Sequence, residues 1–162
     1  MTETFILDTM RSQGRFDALQ LILAAPDMTG TELIAEEIKI PAWSPTTDYS
    51  SQSPGAPVQD EGQVWTLIIP HDASRYIGRP STLRALWDLT HTKDPLKAKP
   101  WVASYGISGR YKLEECCTYP DENGVLHVHR NWYEDNEFPP YTLNVEDRWE
   151  DLGIVKEVQN LG

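Results

Sequence analysis

The stretch DEGQVW at residues 60–65 returns as ENGVLH at 122–127, 62 residues further along the chain. Working outward from it, Tyr49, Gly62 and Trp87 recur at the same offset as Tyr111, Gly124 and Trp149. Asp88 returns as Glu150, and Trp43 falls opposite Tyr105. A fixed period of this kind marks a supersecondary unit used more than once. It predicts two copies of one small aromatic module in place of a single core spanning the 162 residues. Residues 63–69 (QVWTLII), β-branched and aromatic after an acidic-Gly turn, form the strongest strand signal. In the second copy, 111–119 and 125–131 read as a hairpin joined through Asn123-Gly124, a dipeptide that accepts positive φ at both positions. Residues 44–58, rich in Ser, Thr, Pro and Gly, read as loop around Tyr49.

Residues 1–40 differ from the rest in having no Trp or Tyr before the first module. Residues 4–13 read as a helix with Phe5, Ile6, Thr9 and Met10 at helical spacing, Gly14 as its interruption, and 16–25 as a second helix stopped by Pro26. Thr29 with Glu32 has the spacing of a capping box for a third. These helices carry more apolar side chains than so short a segment buries by itself. They either pack on the first module or serve as a docking or oligomerisation element, and the partners expected through 1–40 are further copies of the chain and other proteins of an assembly. The chain is thus mainly β with an N-terminal α-helical segment. Residues 41–90 form the first module, 91–100 a Pro-containing linker, 101–153 the second module and 154–162 a tail that adds a last strand or frays.

The net charge of −11 argues against binding to nucleic acid or to an anionic membrane, each of which needs positive charge. An acidic mimic of nucleic acid is a minor alternative. The two cysteines, Cys116 and Cys117, are adjacent and give no disulfide framework, so a reducing cytoplasm is the expected place of assembly. The N-terminus lacks a basic segment followed by an apolar run, so no secretory leader is expected, and no stretch reaches membrane-spanning length.

The order of Trp, Tyr, strand, acidic-Gly turn, aromatic strand, Pro and closing Trp resembles the small chitin-binding modules of bacterial chitinases, carbohydrate-binding module families five and twelve. The stretch from Pro70-His71-Asp72 through Arg79-Pro80 to Ala85-Leu86-Trp87 carries most of the likeness, and the second copy shares its Gly turn, Pro139 and Trp149. The tandem arrangement behind a helical segment, with Lys97-Ala-Lys-Pro-Trp101 between the copies, is similar to small bacteriophage structural proteins. The resemblance implies two tandem small three-stranded antiparallel β modules, location in a virion assembled in the bacterial cytoplasm, and attachment to a host-surface glycan. It also implies that an exposed Trp before a Pro would stack the sugar. That position is Gly78 in the first copy and Phe138 in the second.

Sugar binding needs a flat exposed ring, and Tyr76, Trp132, Tyr133, Phe138 and Tyr141 lie in polar, loop-like surroundings that suit it. Trp43, Tyr49, Trp65, Trp87, Trp101, Tyr111 and Trp149 are read as framework aromatics. His127 and His129 share a strand face, but neither they nor the cysteines have metal-site spacing, so no metal and no cofactor are expected. The carboxylates form no glycosidase pair, and neither a phosphate-binding Gly loop nor a Ser elbow occurs, so the protein is not expected to be an enzyme. Two readings stand: a virion protein whose modules bind glycan, or a structural component in which they are spacers. The missing platform Trp favours the second.

Overall fold

Glu61 and Gly62 both adopt positive φ, 52° and 73°, which turns the chain from β1 (Pro57–Asp60) directly into β2 (Gln63–Leu67). A two-residue loop of this handedness matches the right-handed twist of paired strands. Asp60 pairs with Gln63 and Pro57 with Thr66. In this computed structural model, residues 3–160 are described, with side chains from Gln13 onward. β3 (Trp87–Leu89) follows β2 in a three-stranded sheet of order β1-β2-β3. The start of β1 lies inside the Pro- and Ser-rich stretch expected to be loop throughout.

The N-terminal helix α1 (Glu3–Ala24) runs without interruption through Gly14. The expected break there does not occur, because one helical Gly costs only about 1 kcal/mol relative to Ala and nothing else opposes the helix. The side chains of Phe5, Ile6, Thr9 and Met10 lie outside the described residues. Pro26 does end α1, opening a single 3-10 turn at Ala25–Asp27. α2 (Gly30–Ala35) then starts directly after Thr29, with Glu32 in its first turn.

The chain divides into two units. The first comprises Met1–Thr29 and Glu36–Trp87, the second Gly30–Ala35 and Asp88–Gly162. In the first, Tyr49 stands edge-on to Trp87 with ring centroids 5.1 Å apart, and the His71 ring lies 5.4 Å from Trp87. Val58, Val64, Trp65 and Leu67 are also buried in this unit. Gly55, at φ +97°, brings its backbone against Pro26, where a Cβ would meet the Pro26 Cα at 3.0 Å. Arg79 closes the hairpin from outside, donating from Nε and Nη2 to the Asp60 carboxylate at 2.8 and 2.9 Å.

The second unit repeats the central pair: Tyr111 and Trp149 are also 5.1 Å apart, at 71°. Its sheet has the order β4-β5-β6-β7. β5 (Cys116–Pro120) and β6 (Leu126–Asn131) form a hairpin at the expected turn, but the first strand begins at Cys116 and not at Tyr111, because Glu114 turns the chain at φ 71° and Tyr111 makes only an isolated bridge to Asn136; β7 (Trp149–Ile154) pairs antiparallel to β6 across an irregularity at Val128/His129. A fourth strand, β4 (Lys99–Pro100), runs parallel to β5. The stretch 91–100, expected as a linker, is folded into this unit. His91 stacks on Tyr111 at 3.7 Å, and the Cys116 amide donates to the Thr92 carbonyl. α2 belongs here too. The Lys93 amide donates to Thr31 Oγ1 at 2.9 Å, and Gly30 lies so close to His91 that a Cβ would fall 2.3 Å from its carbonyl oxygen. After β7 the tail forms neither a further strand nor a frayed end at 155–158. α3 (Val155–Val158) packs Val155 and Val158 on Ala98, Cys116 and Val128.

Candidate functional site

The end of β6 sets the site. Asn131 is wholly buried, and its Nδ2 donates to the carbonyls of Tyr111 (3.2 Å), Lys112 (2.8 Å) and Tyr133. Its Oδ1 accepts from the Tyr133 amide at 3.1 Å and from Asn136 Nδ2 at 2.9 Å. Asn136, also wholly buried, accepts from the Phe138 amide at 3.0 Å. Buried polar groups need partners, and here those partners are the Tyr111 and Lys112 carbonyls on one side, the Tyr133 and Phe138 backbone on the other, and the two amides themselves. Two interior amides thereby shape a loop that has no regular structure.

That loop carries three of the five expected aromatics. Trp132 is 48% exposed; its Nε1 donates to Glu150 Oε2 at 2.8 Å, which fixes the plane of the indole. Tyr133, also exposed, lies over Arg148, whose guanidinium carbon is 3.7 Å from the ring centroid and 5.1 Å from that of Phe138. Phe138 is only half-buried, and its carbonyl accepts from Trp149 Nε1 at 2.9 Å. The fourth, Tyr141, is 54% exposed and adopts φ +66°. A bulky residue in the left-handed region costs about 1–3 kcal/mol and persists only where surroundings hold it. Its ring stands edge-on to His129 at 5.2 Å and 6.3 Å from Tyr119. Tyr76, the fifth, lies in the first unit, 45% exposed and edge-on to His71 at 5.2 Å.

Beside Tyr141 an open recess of about 420 Å³ is walled by Phe138, Tyr141, His129, Asp147, Arg148 and Asp151 among others. Tyr141 and Pro140 also border a second recess of about 570 Å³ reaching Asp121 and Glu122. His127 bridges the strands between them: Nε2 meets Asp121 at 3.0 Å and Nδ1 meets Asp151 at 2.9 Å. The hydrogen bond that His127 donates to Asp151, with the one it donates to Asp121, holds its imidazole above its ordinary value against some desolvation. The Asp121 carboxyl is lowered, first by the Val125 amide. Asp151 is pushed up by burial but lowered on balance by the Gly153 amide and His127. His129, in contrast, is 1% exposed and lowered by that burial.

The framework aromatics Tyr49, Trp65, Trp87, Tyr111 and Trp149 are buried, whereas Trp43 and Trp101 are half-buried. Trp101 packs on Tyr111, Cys117 and Trp149. Trp43 borders a recess of about 450 Å³ with Gly78, Arg79 and Thr82 in the first unit. Cys116 and Cys117 are both buried; burial pushes the Cys116 thiol to about 11 and Cys117 further up. A thiol held protonated is a poor nucleophile. Among the described residues no group of three or more His, Cys, Asp and Glu is placed to hold a metal ion.

His129, Asn131, Asn136 and Arg148 were not selected by their sequence context, although they position or wall the site. The signal available was weak: two Asn five apart after a strand.

No family model, curated protein or solved structure matches this chain.

Proposed function

We propose that the protein is a non-catalytic bacteriophage virion component, in a tail, baseplate or head fibre, whose second unit attaches to host-surface polysaccharide. One observation carries the binding part: Trp132, Tyr133, Phe138 and Tyr141 are gathered on 132–141, held by buried Asn131 and Asn136, next to an open polar-rimmed recess. Exposed rings offer stacking surface for the CH faces of a sugar, and the surrounding carboxylates and amides offer hydrogen bonds to its hydroxyls. A unit of this size gives a shallow, weak site, and many copies on one particle would multiply it through avidity. The virion part rests on the resemblance of the tandem arrangement to phage structural proteins. Buried, protonated thiols support the non-catalytic reading.

Phe16, Leu19 and Leu23, all exposed on α1, fall at i, i+3 and i+7 and so line one side of it. That supports assembly through 1–40, with further copies of the chain or with other virion proteins. Light scattering of the full chain should give a closed oligomer that falls to monomer in Leu19→Glu/Leu23→Glu. A monomeric parent would remove self-assembly from the reading. For the binding site, a glycan array with oligomeric protein should give binding that Trp132→Ala and Tyr141→Ala each weaken at least about tenfold, the loss expected for one stacking or hydrogen-bonding anchor. Binding unchanged in both variants would refute the site.

A second reading, a structural or decoration component whose modules are spacers, is favoured by the first unit. Gly78 leaves its platform position without a ring, and Trp43 is half-buried beside Arg79. Absence of any glycan binding, with normal incorporation into particles, would select it.

A further inference from the structure

We infer that His127 is a proton-operated latch: while its ring carries both protons it holds Asp151 against β6 and Tyr141 in place beside the recess, and loss of one proton releases both. The latch belongs to the wall of the recess and works whatever occupies it. Both ring nitrogens face carboxylates. Nδ1 lies 3.0 and 2.9 Å from the two Asp151 oxygens, and Nε2 lies 3.0 Å from Asp121 Oδ2. A carboxylate only accepts, and a neutral imidazole has a single N–H, so the imidazolium alone can donate on both sides. In the neutral ring one nitrogen turns a lone pair toward a carboxylate at hydrogen-bond distance, and that contact opens. Among the described residues neither Asp121 nor Asp151 forms an ion pair with any other cation. The hydrogen bonds to Asp151 and Asp121 hold the imidazole above its ordinary 6.5, so the second proton leaves only on the alkaline side of that value.

The two sides are unequal. Asp121 Oδ1 accepts from the Asn123 and Val125 amides, each at 2.9 Å, and this side chain is 23% exposed. Asp151 accepts from one backbone amide, that of Gly153 at 2.8 Å, and its side chain is 43% exposed. The remaining proton therefore stays on Nε2 toward Asp121, and Asp151 turns to water. Asp151 is also the polar tether of Tyr141, whose hydroxyl donates to Oδ2 at 3.5 Å. Tyr141 sits at φ +66°, a conformation that a bulky residue keeps only where its surroundings hold it. Without Asp151 the ring is left with its contacts to His129 and Tyr119. The groups around the latch keep their state in this range. Tyr119 stands opposite His127 on β5 and the apolar Ile154 on β7. His129, with its ring 6.2 Å away on β6, is held neutral by burial. The Tyr141 phenol, raised first by desolvation and then by Asp151 and Asp121, stays protonated. Glu146, Asp147 and Arg148 complete the charged wall. Asp151 and Tyr141 both border the recess, so one proton at His127 sets its shape and its charge.

The test uses the full chain with 15N-labelled histidine and 13C-labelled tyrosine, followed by NMR from about pH 5 to about pH 9.5. The His127 nitrogens should carry both protons at the low end and show the Nε2-protonated tautomer at the high end. The Tyr141 ring signals should shift along a curve with the same midpoint as His127. Asp151→Asn keeps an oxygen for the Gly153 amide; it should lower the His127 midpoint and remove the linked Tyr141 shift. His127→Gln lacks the titrating group and should flatten the Tyr141 curve, with the Val128 amide reporting that each variant keeps its fold. Tyr141 signals that stand still while His127 titrates would overturn the latch. So would a neutral ring protonated at Nδ1, since Asp121 would then be the carboxylate released, or a Tyr141 shift that persists in His127→Gln. None of these signals needs a ligand, so a blank glycan array removes the polysaccharide reading and leaves the latch to stand or fall on the titration.

Discussion

Replacing Asn131 with Ala tests whether the binding loop is held by its interior amides. The two hydrogens of Nδ2 are shared among three carbonyls, and Oδ1 accepts two hydrogen bonds. Not all of them are lost at full cost. The Tyr111 carbonyl retains the Asn136 amide at 2.8 Å, and the Lys112 carbonyl retains the Glu115 amide at 3.1 Å. The groups left without a partner are the Tyr133 amide and carbonyl, which border solvent, and Asn136 Nδ2, which is wholly buried. A buried orphan costs about 1–3 kcal/mol, and groups that water reaches cost less, so the total is about 3 kcal/mol. That is a large share of the stability of a small unit, roughly 0.05–0.15 kcal/mol per residue. Urea unfolding followed at the amides of Val128 and Asp151 should show this loss. Hydrogen exchange at Tyr133 and Phe138 should speed up more than exchange at Val128, because the loop loses its anchor before the sheet does. Glycan affinity should fall with the loop, whereas Trp132→Ala should lower affinity at nearly unchanged stability. A loss below about 1 kcal/mol, with Tyr133 and Phe138 still protected, would refute the reasoning.

His127→Gln should lower the melting temperature in a pH-dependent way. A raised folded-state imidazole adds stability that is complete below the unfolded value of about 6.5 and disappears as pH rises through the folded value. The lowered Asp121 and Asp151 carboxyls add stability present above the unfolded carboxylate range and lost as pH falls through their folded values. The gap between parent and variant should therefore be widest near about pH 5–6 and close by about pH 9; a gap that does not change with pH contradicts the Asp121–His127–Asp151 bridge. A thiol reagent at neutral pH should leave Cys116 and Cys117 unlabelled until denaturant is added, and rapid native labelling would contradict their burial. Gly30→Ala forces a Cβ to 2.3 Å from the His91 carbonyl oxygen and should cost at least about 2 kcal/mol. Gly62→Ala meets open space at φ +73° and should cost only about 1 kcal/mol; equal losses of melting temperature in the two variants would contradict this account.

The sequence carried the frame well because the frame depends on local signals. Alternation and turn chemistry located β2 and the β5-β6 hairpin, and Gly124, at φ +79°, sits in the turn expected of it. Elements that depend on distant partners were less legible. β4 is two residues long, one of them Pro, and is defined by its parallel pairing with β5, Lys99 opposite Cys117 and Pro100 opposite Thr118, with the Trp101 amide donating to the Thr118 carbonyl. α2 joins the second unit through Gly30 and Thr31, whose partners His91 and Lys93 lie about 60 residues on; no periodicity encodes a contact at that range. The site divides in the same way. Polar surroundings singled out the exposed rings Trp132, Tyr133 and Tyr141. Nothing local distinguishes His129 from His127, two residues away. One is buried and the other is held between two carboxylates, because the strands beside them differ.

The two units show where such a small module has freedom. Each keeps a Tyr edge-on to the Trp 38 residues later, at the same 5.1 Å spacing, a contact worth about 0.5–1.5 kcal/mol beyond the area it buries. The stretch between the second strand of the hairpin and that Trp is not held in the same way. In the first unit it turns inward: His71 packs on both Tyr49 and Trp87 and is 6% exposed. The residue at the same offset in the second unit is Tyr133, which is 40% exposed and lies over Arg148. There the space beside Tyr111 is filled by His91, from ahead of the module. Supplying a core ring from elsewhere releases position 133 to the surface, and Asn131 and Asn136 replace the lost apolar anchor with hydrogen bonds. A module that places its aromatic inside gains core, and one that places it outside gains a stacking surface. The same repeat thus yields a unit suited to structure and a unit suited to contact.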